Sequence, residues 1–215
     1  MKAMVTAVCV GRANDLPAGR GTMSTAIDKR AVDGRVAVGR LGVVGDVQVD
    51  TVHHGGVDQA LYAYGQSDAD HWVASLHRDV PPGAFGENLR ITGIEVSDAR
   101  VGERWRIGDG PVVEVTAPRI PCTTFATFWD VPDLVSRFLS ARRPGAYLRV
   151  LEEGGIAAGN RVRVVHRPDH DVSVAEVMRI HTRDRDEAAR LLEIEGLAER
   201  VVAWATRHLA EVARP

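Results

Sequence analysis

Lysine is almost missing from this chain. Of 27 basic residues among 215, only Lys2 and Lys29 are lysines, and 25 are arginines. Schiff-base chemistry is therefore limited to two residues, whereas planar guanidinium forks for phosphate or carboxylate are plentiful. Cysteine is scarce too: Cys9 and Cys122 are too few for a disulfide framework, which fits a reducing compartment. No apolar run reaches the roughly 18 residues that a membrane-spanning helix needs. A formal net charge of −2 argues against partners held by bulk charge, whether nucleic acid or anionic lipid. The apolar stretch after Lys2 is followed by no small-residue cleavage pattern, so it reads as a first strand and a cytoplasmic location is expected. Several catalytic signatures are absent as well. The sequence holds no Gly-x-Ser-x-Gly elbow, no phosphate-binding Gly-x4-Gly-Lys loop and no His-Glu-x-x-His. Gly39, Gly42 and Gly45 do not have dinucleotide-loop spacing, and paired Cys/His ligands for structural zinc are missing.

What is present is a globular composition, 45% hydrophobic and 26% charged, sized for one large domain or a domain with an appendage. Up to about residue 165, short β-branched runs alternate with glycine. Strands are expected at 4–10, 35–38, 47–52, 61–64, 104–107, 112–116, 146–150 and 162–165. Frequent turns without regularly interleaved helices point to a barrel or sandwich rather than a doubly wound sheet. Two helices interrupt this pattern, at 68–78 after a Ser67 cap and at 132–142 after an Asp130 cap. Beyond Arg167 the character changes. A capping box at Ser173 and Glu176, a second start at Asp184 and a run through Val201, Ala205 and Leu209 predict three short amphipathic helices. The division is a β domain at 1–167 and a helical segment at 168–215.

Three places carry candidate chemistry. Cys122 sits just beyond a strand, between Pro118, Pro121 and the helix to come, with Arg119 nearby. Positive charge and a helix N-terminus favour the thiolate that attacks or ligates; the competing reading is an inert thiol, the one assigned to Cys9. His54, Gly55, Gly56 and Asp58 follow a strand, where twin glycines let backbone N–H groups approach a ligand; the competing reading is a plain turn. Glu87 and Asn88 could read a polar ring edge or close a turn.

In order along the chain, these pieces resemble the MOSC domain family, the molybdenum-cofactor sulfurase C-terminal domain. The resemblance rests on Ser24 to Ile27 with Lys29; Gly45, Asp46, Gln48 and Asp50; His54, Gly55, Gly56 and Asp58; Phe85, Gly86, Glu87 and Asn88; and Pro118, Arg119, Pro121 and Cys122. Gly145 to Leu151 with Gly159 matches the closing strands, and Asn160 departs from the more usual aspartate. The helical tail resembles that of the stand-alone bacterial YiiM-like branch. The resemblance implies a closed, mixed β-barrel with a pocket for the molybdenum cofactor (molybdopterin). It implies Cys122 as the metal ligand, Arg119 and Lys29 as phosphate or pterin contacts, and His54, Gly55, Gly56 and Asp58 on the opposite wall. Glu87 and Asn88 would meet the pterin edge, and Glu87, Asp58 or His54 would supply protons. The implied activity is reduction of small N-hydroxylated compounds of the hydroxylaminopurine kind, with electrons from a separate donor protein. Alternatives are a sulfur or cofactor carrier using a Cys122 persulfide, and a non-catalytic binding module. No pyridoxal phosphate is expected. The tail is expected to act as a lid over one barrel edge, or else as a dock for the donor.

Overall fold

Valine-rich segments form strands, because β-branched side chains suit a pleated, half-buried surface. The computed structural model describes residues 2–18, 21–49 and 55–214. In chain order its strands are β1 (Met4–Gly11), β2 (Asn14–Ala18), β3 (Gly21–Thr25), β4 (Lys29–Ala31), β5 (Val36–Gly39), β6 (Gly42–Val43), β7 (Leu61–Gly65) and β8 (Leu89–Thr92). They continue as β9 (Arg104–Ile107), β10 (Val112–Pro118), β11 (Ala146–Glu152), β12 (Gly154–Ile156) and β13 (Val162–His166). The helices are α1 (Gln66–Leu76), α2 (Thr123–Trp129), α3 (Leu134–Ala141), α4 (Val174–Thr182) and α5 (Glu199–Val212).

Eight strands form one sheet in the order β13-β9-β10-β11-β7-β8-β1-β4. Every pair in it is antiparallel except β7 with β8, and α1 makes the crossover that a parallel pair requires. The expected closed barrel is corrected here: among the described residues no sheet closes. The start of β1 meets the segment just before β13 through the bridge of Met4 with Arg161 and through backbone bonds such as Val5 N to Asn160 O at 2.9 Å. The reason is local. Asn160 Oδ1 accepts from Ala157 N at 3.0 Å, so this stretch curls into a turn instead of extending a ladder. A three-stranded sheet (β12-β5-β6) and the β2–β3 hairpin complete the β structure. The strand expected at 47–52 is not formed at 47–49, and 50–52 lie outside the described residues.

The alternation of side chains along a strand splits the interior in two. Leu61, Ala63, Ala146 and Leu148 enter an aliphatic core. Tyr62, Tyr64 and Tyr147 enter an aromatic one with Trp72, Phe85, Phe125 and Phe138. The tail shares the aliphatic core with the sheet through Val174, Ile180, Leu191, Val201 and Ala205.

Helix starts were only partly legible. Ser173 caps α4 as expected, its Oγ accepting from Glu176 N at 3.2 Å. Ser67 is not a cap: α1 begins at Gln66 after Gly65, and the Ser67 hydroxyl donates to Glu95 at 2.8 Å. Asp130 does not open α3 either. It closes α2 in a left-handed conformation with φ 50°, and Asp133 is the residue at the start of α3. The middle tail segment, Arg185–Glu193, is a 3-10 helix, so of the three amphipathic helices expected in the tail two are α-helices and the one between them is not. Its buried Ala188 and Leu191 are three apart, the spacing that eclipses in a 3-10 geometry.

Candidate functional site

Pro118 ends β10 and Pro121 follows, so the linking segment offers few donors for regular pairing. It delivers Cys122 to the start of α2 in an extended conformation (φ −125°, ψ 173°). The Cys122 carbonyl accepts from Phe125 N at 3.1 Å, and its half-buried side chain lines a cavity of about 760 Å³. Cys9, in contrast, is fully buried in β1, and burial pushes its thiol up to about 12.

Arg119 lines the same cavity and is only 5% exposed. Its guanidinium carbon lies 4.5 Å from the Phe125 ring centroid and 5.8 Å from that of Tyr62. The Tyr147 phenol is hydrogen-bonded to this side chain; burial raises its pKa, and Arg119 and Arg200 pull against that rise. One guanidinium nitrogen of Arg119, Nη1, is buried without a hydrogen-bond partner. A buried charged donor left unsatisfied is costly, so the site is shaped for an acceptor.

The remaining expected residues are placed as follows. Lys29 and Asn88 line the cavity, but both are engaged with Asp46. Lys29 Nζ reaches its two carboxylate oxygens at 2.5 and 2.6 Å. Asn88 Nδ2 donates to Asp46 at 2.9 Å and to Cys9 O at 3.2 Å, while its Oδ1 accepts from Tyr62 N at 3.1 Å. Gly55 lines the cavity with φ 103°, and a Cβ there would meet Gln48 Oε1 at 2.1 Å. Gly56 is not brought to it; with φ 78° it leads the short turn at Val57–Gln59. His54, with Asp50, lies outside the described residues.

Glu87 and Asp58 are not among the lining residues. Glu87 is fully buried and accepts from Gly83 N, Phe85 N and the Arg90 guanidinium at 2.5–3.0 Å, which uses both oxygens. Asp58 accepts from Arg149 at 2.7 and 2.9 Å and from Glu199 N at 2.9 Å, tying α5 to the sheet.

Sequence reasoning missed the wall supplied by the tail. Val177 and His181 of α4, and Arg200, Val201, Trp204 and Arg207 of α5, all line the cavity. The Arg200 guanidinium carbon sits 5.5 Å from the Tyr147 centroid, and burial lowers its pKa. The Gln59 amide lies 2.5–3.2 Å from that guanidinium. The signal was there: positions 200, 204 and 207 share one helical face. What it faced depends on docking.

The electrostatics follow. Among the described lining residues Asp46 is the one carboxylate, and Lys29 neutralises it; Arg119, Arg200 and Arg207 remain. The cavity is therefore cationic with aromatic walls. No cluster of three His, Cys, Asp or Glu side chains suited to a metal occurs among the described residues, so a metal at Cys122 would bring its other ligands with it. A thiol and a buried, unsatisfied guanidinium lining one cavity fit a sulfur-seeking metal carried by an anionic organic group.

Known proteins similar to this chain identify its family. The chain is 32% identical over 182 residues to the uncharacterized protein YflK of Bacillus subtilis, covering 85% of this chain and 82% of that one. A protein named Reductase from Gibberella moniliformis is 31% identical over 179 residues; the match takes in 80% of this chain but 31% of that longer one. The crystal structure of YiiM from Geobacillus stearothermophilus superposes with a TM-score of 0.80 at 28% identity, covering 96% of this chain and 99% of that one. No described helix is long and apolar enough to cross a membrane. The MOSC domain family model matches residues 50–163, and the chain belongs to that family, in its stand-alone YiiM-like branch.

Proposed function

We propose that this protein is an oxidoreductase that holds the molybdenum cofactor in the Cys122 cavity and reduces small N-hydroxylated compounds. The observation that carries this reading is a single cavity lined both by the Cys122 thiol and by Arg119, whose Nη1 is buried and unsatisfied. Its relation to a protein named Reductase supports an electron-transfer role.

When bound, the cofactor would supply two-electron redox chemistry at its metal. Cys122 would ligate it, and Arg119 would satisfy its anionic periphery. Reduction of an N–OH group takes up two electrons and two protons, breaks the N–O bond and releases water. The electrons would come from a separate donor protein. Of the groups expected to deliver protons, Glu87 and Asp58 lie away from the cavity and His54 is outside the described residues; Asp46, the one carboxylate among the described lining residues, is held by Lys29. Tyr147 lines the cavity as a protonated phenol, hydrogen-bonded to Arg119, and is the described residue placed to give a proton to the leaving hydroxyl.

The test is elemental analysis of protein made in a cofactor-competent host, followed by assay with a hydroxylamine substrate and reduced viologen. Stoichiometric molybdenum and turnover, both lost in Cys122→Ala, are expected. A metal-free protein would end the reading. Molybdenum or cyanide-labile sulfur without turnover would favour a carrier.

A further inference from the structure

The proposed reaction leaves the α5 wall without a task. Arg200, Trp204 and Arg207 stand at i, i+4 and i+7 and so share one face of the helix, and all three line the cavity. Arg200 is exposed overall with its guanidinium against the Tyr147 ring, Trp204 is half-buried, and Arg207 is exposed at the rim. Two turns of helix, about 10 Å, separate the two arginines along the axis. The Trp204 ring lies 4.2 Å from that of His181. Burial, with Arg185 and Arg200 nearby, lowers the His181 pKa to about 4, so this imidazole is neutral at pH 7. Its Nδ1 is buried with no hydrogen-bond partner. A flat heteroaromatic ring suits this aromatic, neutral-polar stretch, and an anionic group suits the guanidinium at the rim. No unpaired carboxylate lines the cavity among the described residues to oppose it.

Resting on the proposed function, we infer that the α5 face is the substrate wall, and that the substrate is an N-hydroxylated heteroaromatic base still carrying a phosphate, its ring along Trp204 and its phosphate at Arg207. Arg119, beside Cys122, is left to the cofactor. A nucleoside monophosphate would bridge the two ends of this wall, whereas a free base or nucleoside would leave Arg207 unused.

The test is equilibrium binding to the full chain at low salt, using adenosine 5′-monophosphate, adenosine and inorganic phosphate as probes. Each is titrated against the cofactor-loaded and the cofactor-free protein. The nucleotide should bind about tenfold or more tightly than the nucleoside in both forms. Phosphate alone should bind weakly. Arg207→Ala, an exposed position that leaves the fold intact, should erase the preference without changing molybdenum content; Arg119→Ala should lower molybdenum content and keep the preference. Equal affinity for nucleotide and nucleoside would overturn the inference. So would a preference that survives Arg207→Ala or disappears with Arg119→Ala. Nucleotide binding confined to the cofactor-free form would also overturn it, because the wall would then hold part of the cofactor. If the protein never carries molybdenum yet keeps an Arg207-dependent preference, the wall stands and the cofactor reading fails.

Discussion

Lys29 and Asp46 form a doubly bonded ion pair in the cavity wall, at 2.5 and 2.6 Å, with side chains 9% and 3% exposed. Asp46 also accepts from Gly11 N at 2.6 Å and from Asn88, so one carboxylate joins β1, β4 and the loop before β8. Lys29→Met removes the cation and strands that carboxylate. Breaking one side of a buried pair costs about 3–5 kcal/mol. A lowered urea midpoint is therefore expected, whatever happens to cofactor content. A variant of wild-type stability that merely loses cofactor would mean that Lys29 serves the ligand and not the fold.

The two thiols should separate cleanly under chemical labelling. Cys122 is half-buried on a cavity wall, whereas Cys9 is fully buried and its thiol is held at about 12. The thiolate is the reacting form, so a native sample should release one equivalent with a disulfide reagent and a second only on unfolding. Cys122→Ser should leave no reactive thiol in the native protein and change stability by no more than about 1 kcal/mol. Two equivalents from native protein would contradict the placement of Cys9.

Much of this was legible in the sequence, because strands betray themselves by local pattern. The runs expected at 61–64, 104–107 and 146–150 fall within β7, β9 and β11. Segments whose pairing is decided elsewhere were not legible. The β2–β3 hairpin holds Pro17 and polar residues, and α2 reads Thr-Thr-Phe-Ala-Thr-Phe-Trp, a β-prone string that packing of Phe125 and Trp129 turns into a helix. The cavity shows the same division. Cys122 and Arg119 were found from adjacent prolines and charge. Glu87 was given a catalytic task because motif order cannot reveal that Arg90 and two backbone donors consume its carboxylate. Arg200 and Trp204 went unnoticed because a helix does not announce what it docks against.

Asp58 binds the tail to the sheet, accepting from Arg149 and from the first amide of α5. Charge-assisted bonds of this kind are worth about 1.5–3 kcal/mol each when buried, and less here because both side chains are partly exposed. Asp58→Asn should lower the protection of the Glu199–Val212 amides against hydrogen exchange more than that of β10 or β11. It should also weaken nucleotide binding, since Arg200 and Arg207 ride on that helix. Uniform loss of protection across the sheet would place Asp58 in the global core instead.

Acid should weaken the tail wall through His181. Its pKa is pushed down from 6.5 to about 4, first by burial and then by Arg185 and Arg200. Between those values the unfolded chain binds the proton more readily than the folded one, so stability rises with pH across the window and is lost as pH falls through it. Asp68 acts with the opposite sign, because burial raises its carboxyl pKa and favours the protonated folded form. A comparison of variants removes that background. His181→Phe keeps a ring against Trp204 but cannot titrate, so its denaturation midpoint should change less between pH 7 and pH 5 than that of the wild type. Identical pH dependences would mean that the imidazole is solvated in the folded protein, and the neutral, unsatisfied Nδ1 assigned to the substrate wall would go with it.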